Sequence, residues 1–413
     1  MIIIQYMNDK LLPRLVGANL RDRLAVMPAV VVTGSRQTGK STLVQQLLPG
    51  DRRFLTLDDL DVVDLARRDP DALLAGPLPV TLDEIQREPA LLLEVKRAID
   101  RDRVAGRFLI TGSANLLLMH RVSESLAGRA SYITLWPMTR REQLGLGRCG
   151  NWEKLVATPD IEWLDLVADC SEPREDWREL ARRGGYPTPA LHLESGDQRA
   201  VWFDGYVTTY LERDLQVLSA VAGLPDFRRL MQAACLRLGQ VVNQTELGRD
   251  VALPQPTVHR YLNLLETSHV LTRLPAYSVN RTKRLIKSPK IFWSDTGLAM
   301  HLAGLDEPTG AHLENIIHHD LAAWRDARID HTEILYWRTT TGEEVDFVVE
   351  TGGKLLPIEV KSTDKPRLRD AARLRSFRAE YGEKARAGLL LHTGDSVEWL
   401  TADVLAAPWW TVV

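Results

Sequence analysis

The sequence predicts an α/β protein: a mostly parallel sheet with helices in the N-terminal third, a helical module in the middle, and a smaller α/β unit at the C-terminal end. Three observations carry this. Short β-branched or aliphatic runs alternate with helical spacing through the first 140 residues. A glycine-bearing loop joins the first of those runs to a helical stretch. Strand-like runs return after residue 330, two of them joined at Gly352-Gly353. At 413 residues the prior is about three domains. Hydrophobic residues at 45% and charged residues at 26% are globular proportions, which exclude disorder, collagen and coiled coil.

In chain order, Ala29-Val30-Val31-Val32-Thr33 reads as a buried strand. The stretch 41–48 has helical spacing and stops at Pro49-Gly50. Further buried strands fit residues 79–82 and 107–111, with a helix over Ala90–Ile99 between them. Residues 151–180 carry nine acidic and three basic side chains, which reads as a solvated, largely helical insertion. Gly184-Gly185-Tyr186-Pro187 is a turn signal, and a long helix follows over roughly 198–220. Strands then fit Ile334–Arg338, Val345–Glu350 and Leu355–Lys361. No apolar run approaches the ~18 residues of a membrane helix. The opening Met1-Ile2-Ile3-Ile4 lacks the pattern of an export signal, so a cytoplasmic location is expected and no membrane partner. The three cysteines are scattered, which fits reduced thiols rather than zinc or disulfides. A net charge of −3 means that nucleic-acid binding would have to come from local patches.

Gly34-Ser35-Arg36-Gln37-Thr38-Gly39-Lys40-Ser41 matches G-x-x-x-x-G-K-[ST] in full, between a buried strand and a helix as the motif requires. Gly34 and Gly39 permit the bends that turn backbone N–H groups inward on phosphate. Lys40 can reach the β- and γ-phosphates of ATP, Ser41 can ligate Mg²⁺, and Thr42 completes the stretch expected to hold the nucleotide. The strand ending at Leu82 runs into Asp83 and Glu84. Asp83 suits Mg²⁺, and Glu84 suits polarising the attacking water. Thr111 and Ser113 end the next strand, where a polar group can contact the γ-phosphate or the water. Arg129 is a candidate arginine finger; acting in trans, it would require a homo-oligomer.

These segments, TGSRQTGKSTL, LDEIQ, RFLITGSAN and SLAGR, resemble the prokaryotic AAA+-type ATPases that carry a C-terminal domain of unknown function. The resemblance extends through Gly184-Gly185-Tyr186-Pro187, Tyr210-Leu211-Glu212-Arg213-Asp214, Glu344-Val345-Asp346-Phe347 and Ile358-Glu359-Val360-Lys361. It implies ATP binding and hydrolysis, and a P-loop NTPase fold of the AAA+ type for the first domain. It implies no biological role.

Two helices, 245–251 and 255–266, joined by Ala252-Leu253-Pro254, precede two candidate strands at 270–274 and 291–293. This is the pattern of a helix-turn-helix with a wing. The segment 281–290 between the strands has five basic residues and no acidic ones. Thr257, His259 and Arg260 could approach a DNA groove while that segment meets phosphate, so residues 254–290 are a candidate DNA contact; a purely structural or protein-contact module is the other reading.

At the C-terminal end, Asp346 would neighbour Glu359 and Lys361, which share a strand face, and Glu314 could point at the same spot from a helix. Carboxylates beside a lysine suit a hard metal whose bound water attacks a phosphodiester, giving Asp346 and Glu359 as metal ligands with Glu314, and Lys361 as the positioning base. The arrangement resembles the restriction-endonuclease-like superfamily, signature D…(D/E)-x-K, with Val345 in place of its usual proline. The alternative is a fold kept for binding DNA or a protein. The expected domains are 1–140, nucleotide-binding; 141–225, helical linker or lid with the acidic insertion; 226–300, winged-helix-like; and 301–413, nuclease-like. The expected activity is an Mg²⁺-dependent ATPase acting as a nucleotide-driven switch. An ATP-gated nuclease or an interaction protein with a vestigial ATPase stand as alternatives.

Overall fold

The computed structural model describes residues 11–48, 50–112, 126–209 and 223–413. Ser113 and the segment Tyr210–Asp214 lie outside them. The chain divides into two compact units, Met1–Arg148 and Cys149–Val413.

The first unit is built on five parallel strands: β1 (Ala29–Thr33), β2 (Arg53–Thr56), β3 (Val80–Asp83), β4 (Phe108–Thr111) and β5 (Ala130–Thr134). Their order is β2-β3-β4-β1-β5. Successive side chains of a strand point to opposite faces. Val30 and Val32 therefore enter one core with Leu20, Leu43 and Ile133, while Ala29 and Val31 enter the other with Leu82, Leu92 and Ile110. Burial on both faces explains why β1, β3 and β4 read as continuous apolar runs. The order inserts β4 between β1 and β3, so the C-terminal ends of all three open on one edge of the sheet. The helix after β1 starts as Lys40–Thr42 and continues as a π-helix over Leu43–Leu47.

The second unit begins with helices Trp152–Ala157, Trp163–Ala168 and Trp177–Arg183. Their leading tryptophans are all buried. The acidic stretch thus packs on its tryptophan face, with Glu153, Glu162, Asp165, Asp169 and Asp176 exposed. Asp160 accepts from Arg386 Nε at 2.8 Å and from the Ala387 N–H at 2.6 Å, and Asp320 Oδ2 accepts the Gly150 N–H and Trp152 indole N–H at 2.8 and 2.6 Å. Asp160 thus ties the stretch to residues 386–387, and Asp320 ties its first helix to helix Gly310–Asp326.

A helical core follows, from helices Leu224–Cys235, Gln244–Asp250 and Gln255–Thr267 and the antiparallel pair β6 (Leu271–Leu274) and β7 (Lys290–Trp293). Between β6 and β7 lies a short helix, Arg281–Ile286, rather than an open basic loop. Helix Gly310–Asp326 then leads to β8 (Thr332–Arg338), β9 (Glu344–Thr351), β10 (Lys354–Lys361), β11 (Gly388–His392), β12 (Glu398–Thr401) and β13 (Val404–Pro408). These form one mixed sheet in the order β12-β13-β11-β10-β9-β8. Positive φ at both Gly352 and Gly353 makes the tight β9–β10 turn. Among the described residues, no helix is long and apolar enough to cross a membrane.

Candidate functional site

The phosphate loop is held open by backbone geometry. Gly34 has φ +143°, and a Cβ there would overlap the carbonyl oxygen of Leu135. Gly39 (φ +91°) and Gln37 (φ +61°) adopt left-handed conformations. Ser35 and Thr38 are buried, and Thr38 Oγ1 donates to the Ser35 carbonyl at 3.0 Å. Arg14, absent from the motif and invisible to sequence reasoning, braces the loop from behind. Its guanidinium donates to the carbonyls of Thr38 and Trp136, each at 2.7 Å, and to Glu142 at 3.0 Å.

The Lys40 ammonium is folded back on the loop, donating to the Gly34 and Ser35 carbonyls at 3.2 and 2.8 Å. Burial pushes its pKa down to about 8, against the raising influence of Glu84 and Asp83. Ser41 Oγ donates to Asp83 Oδ1 at 3.0 Å. Asp83, buried at the end of β3, also accepts from Thr111 Oγ1 and, at 3.4 Å, from Thr56 Oγ1. Three hydroxyls thus converge on one carboxylate, a donor set that fits a hard cation.

Glu84 sits in the left-handed region at φ +57°, a strained backbone for a residue with a side chain. Its N–H donates to Thr111 Oγ1 at 3.3 Å, and its carboxylate accepts from Gln86 Nε2. Burial raises its pKa, opposed chiefly by Lys40. Gln86 belongs to no motif in the sequence; its place two residues after the acidic pair is the available signal. Arg36 lies on the loop partly buried and Thr42 is exposed on the helix.

Arg129 is not part of this cluster. It precedes β5, and its carbonyl accepts the N–H of Ala29 at the start of β1. That is the opposite edge of the sheet, roughly 15 Å of strand away from the loop. Its guanidinium is paired with Asp100 at 2.6 and 3.0 Å. It cannot touch a phosphate held by its own chain's loop.

The C-terminal carboxylates also depart from expectation. Lys361 Nζ lies 2.6 Å from Glu359 Oε1, and Arg373 reaches the same oxygen at 3.3 Å. Asp346 Oδ2 accepts the Val360 N–H at 2.8 Å. The ammonium of Lys290 stands among the others: 2.6 Å from Glu344, 3.4 Å from Asp346 and 3.8 Å from Glu314. The described residues contain no group of three His, Cys, Asp or Glu arranged to hold a metal ion. The expected ligand set of Glu314, Asp346 and Glu359 is instead paired with cationic side chains. Glu344 was available from the sequence, since positions 344 and 346 share a strand face. Lys290 was hidden in what read as a basic wing.

The segment 281–290 is itself less basic than it reads. Arg284 is buried, bonded to Glu350 at 2.5 Å and to Glu333. Arg281, Lys283 and Lys287 are its exposed cations. On the neighbouring helix, His259 bonds Gln244 at 3.2 Å and Asn263 at 3.0 Å, and Gln255 bonds Gln244 at 3.1 Å. Thr257 is half-buried, and Arg260 is exposed over the ring of Tyr261.

Comparison with known proteins finds three family models along the chain. The family model described as AAA domain matches residues 27–144, a domain of unknown function (DUF8612) matches 174–309, and another (DUF4143) matches 309–412. Proteins of Mycobacterium tuberculosis and Mycobacterium bovis, described only as uncharacterized, are each 33% identical over 403 residues, covering 95% of this chain and 82% of theirs. An uncharacterized Haemophilus influenzae protein is 22% identical over 258 residues, 61% of this chain and 58% of its own. Among solved structures, the Walker-type ATPase of Pyrococcus abyssi aligns with 71% of this chain and 99% of its own, at 15% identity and a TM-score of 0.39. The chain belongs to the family of AAA-domain P-loop ATPases that carry a C-terminal DUF4143 domain.

Proposed function

We propose that this chain is an Mg²⁺-dependent ATPase in which nucleotide turnover works as a conformational switch. The observation that carries the reading is the bond between Ser41 of the phosphate loop and Asp83 of the acidic pair. In this reading, residues 34–42 bind the ATP phosphates, and Lys40 exchanges two loop carbonyls for phosphate oxygens. Ser41 and Asp83 would hold Mg²⁺, which neutralises phosphate charge. Glu84 orients the attacking water and takes its proton, and burial that raises its proton affinity suits a base. Thr111 and Gln86 position Asp83 and Glu84, and Ser113 is proposed to meet the γ-phosphate. Arg129 keeps a role only if it acts on a neighbouring copy, which requires a homo-oligomer. The setting we infer is the cytoplasm.

The test is nucleotide binding and phosphate release measured on two variants. Lys40→Ala should lose binding of a fluorescent ATP analogue. Glu84→Gln should bind it and fail to turn ATP over. Normal affinity in the first variant would sink the proposal, and normal turnover in the second would strip Glu84 of its role.

A second reading, that the switch acts on DNA, is favoured by the helix pair 244–250 and 255–267 followed by the β6–β7 pair. We read this order of elements as that of a winged helix. Gln244, Gln255, His259 and Asn263 carry amide and imidazole groups of the kind that read base edges. Arg281, Lys283 and Lys287 would meet phosphate. Binding of labelled duplex DNA, measured by anisotropy, tests it; no binding at low salt would remove it.

A further inference from the structure

A restriction-endonuclease-like reading of residues 301–413 requires a divalent cation among Glu314, Asp346 and Glu359. Several of the oxygens such a cation would take are already directed to cationic groups of this chain, while Glu314 Oε2 and Glu359 Oε2 accept no hydrogen bond among the described residues. Lys290 opens β7 and is 1% exposed. Its ammonium lies within 4 Å of three carboxylates, with Glu344 at 2.6 Å, Asp346 at 3.4 Å and Glu314 at 3.8 Å. The second oxygen of Asp346 is taken by the backbone N–H of Val360. The side chain of Glu359 is fully buried, and its Oε1 is shared by Lys361 and Arg373.

A hard divalent cation needs six or more oxygens at about 2.0–2.6 Å. It would also have to sit beside a buried ammonium that cannot retreat into water. Two positive centres a few ångströms apart in a poorly screened interior repel strongly. The ammonium, in turn, tolerates burial only because carboxylates surround it. Each requirement holds the other in place. The backbone reinforces this, because Lys290 is fixed in register opposite Leu274 of β6.

We propose that the ammonium of Lys290 fills the cation position of this carboxylate cluster, so that the C-terminal domain takes no divalent metal and performs no metal-dependent phosphodiester cleavage. The cluster is a joint in which one ammonium on β7 holds carboxylates from helix Gly310–Asp326 and β9. The carboxylates become a metal site only when the ammonium is removed.

The experiment is Mn²⁺ titration of the full chain without nucleotide, followed by electron paramagnetic resonance of free Mn²⁺. It compares wild type, Glu359→Gln, Lys290→Met and the double variant, with circular dichroism and thermal melting to confirm folding. Wild type and Glu359→Gln should bind alike, because any Mn²⁺ bound near Ser41 and Asp83 is common to both. Lys290→Met should gain one further Mn²⁺, at least about tenfold tighter than the millimolar range of weak oxygen sites, and lose it in the double variant. Wild-type binding that falls in Glu359→Gln would overturn the proposal, as would Mn²⁺-dependent nicking of supercoiled plasmid that Glu359→Gln abolishes. A folded Lys290→Met without the added site would also overturn it. If Lys290→Met does not fold, Lys290→Gln removes the charge and keeps a hydrogen-bond donor. The wild-type and Glu359→Gln comparison decides the metal question without either variant.

Discussion

The hydroxyl of Ser41 lies 3.0 Å from the carboxylate of Asp83, although 42 residues separate them in the chain. The contact exists because β4 is inserted between β1 and β3, leaving the loop after β1 and the end of β3 on the same edge of the sheet. If this pair holds Mg²⁺, Asp83→Asn should lower ATP turnover by about 10²–10³-fold, the size expected when a charged group acting on the transition state is lost. Mg²⁺-free nucleotide binding should change little. Phosphate release against Mg²⁺ concentration checks both, and unchanged Mg²⁺ dependence in Asp83→Asn would count against the assignment.

Gly34→Ala tests the loop without touching a charge. The added methyl group would overlap the Leu135 carbonyl, and φ of +143° is hostile to any side chain. The expected result is a loss of about 2–3 kcal/mol in stability together with loss of nucleotide affinity. Denaturant melts followed by nucleotide titration separate the two effects. A variant with wild-type midpoint and affinity would show that the loop relaxes freely.

What could be seen in the sequence follows burial and locality. The phosphate loop is a contiguous motif whose glycine angles and neighbours are all local. Strands β1, β3 and β4 lie inside the sheet and so are apolar on both faces. Strands β2 and β5 are the two edges, mostly half-buried, and Arg53-Phe54-Leu55-Thr56 shows no apolar run. In the C-terminal sheet, β9 and β10 are marked by the Gly-Gly turn. The Ala-containing β13 carries no comparable signal, and Gly388-Leu389-Leu390-Leu391 fits a strand or a helix equally. Charge pairing was the least legible. Arg284 and Lys290 look like members of one solvated basic segment. Their burial depends on Glu333, Glu344 and Glu350, all more than 40 residues away.

The Gly184-Gly185-Tyr186 segment reads as a turn, but packing explains it better. Asp295 is buried and caps helix Thr296–Ala303 through the Leu298 N–H at 2.7 Å. Its other oxygen accepts the Gly185 N–H at 2.6 Å and the Tyr186 N–H at 3.2 Å. A Cβ on Gly184 would overlap both Asp295 oxygens, and φ there is +68°. Gly184→Ala should therefore destabilise the second unit by about 3 kcal/mol. A chemical-denaturation midpoint within error of wild type would refute this.

If the basic helix between β6 and β7 meets DNA, its three exposed cations set the salt dependence. Each phosphate contact contributes a slope of about −0.9 in log K against log salt for duplex DNA. The Arg281→Ala/Lys283→Ala/Lys287→Ala variant should thus flatten the slope by about 2.7. Arg284→Ala acts differently, because its charge is spent inside the fold on Glu333 and Glu350. It should cost stability before it affects binding. Anisotropy titrations of a labelled duplex at several salt concentrations distinguish the two, and an unchanged slope in the triple variant would place DNA elsewhere or nowhere on this helix.

Lys40 gives the nucleotide site a pH dependence of definite sign. In the free protein, burial lowers its pKa to about 8 from the usual 10.5, so the buried ammonium is disfavoured and the native state gives up this proton more readily than the unfolded chain. Without nucleotide, this group's contribution to stability rises with pH between about 8 and 10.5. ATP phosphates act in the opposite direction, because they favour the ammonium and raise its pKa again. Binding should then take up about half a proton near pH 8 and approach one proton above pH 9, with affinity falling up to about tenfold per pH unit in that range. Below pH 7 the lysine is already charged and contributes no slope. Isothermal titration calorimetry at pH 8.5 in buffers of different ionisation enthalpy measures the uptake directly. A binding enthalpy independent of the buffer would mean that Lys40 keeps its proton in the free protein, held by the two loop carbonyls and the nearby Asp83 and Glu84 more strongly than burial expels it.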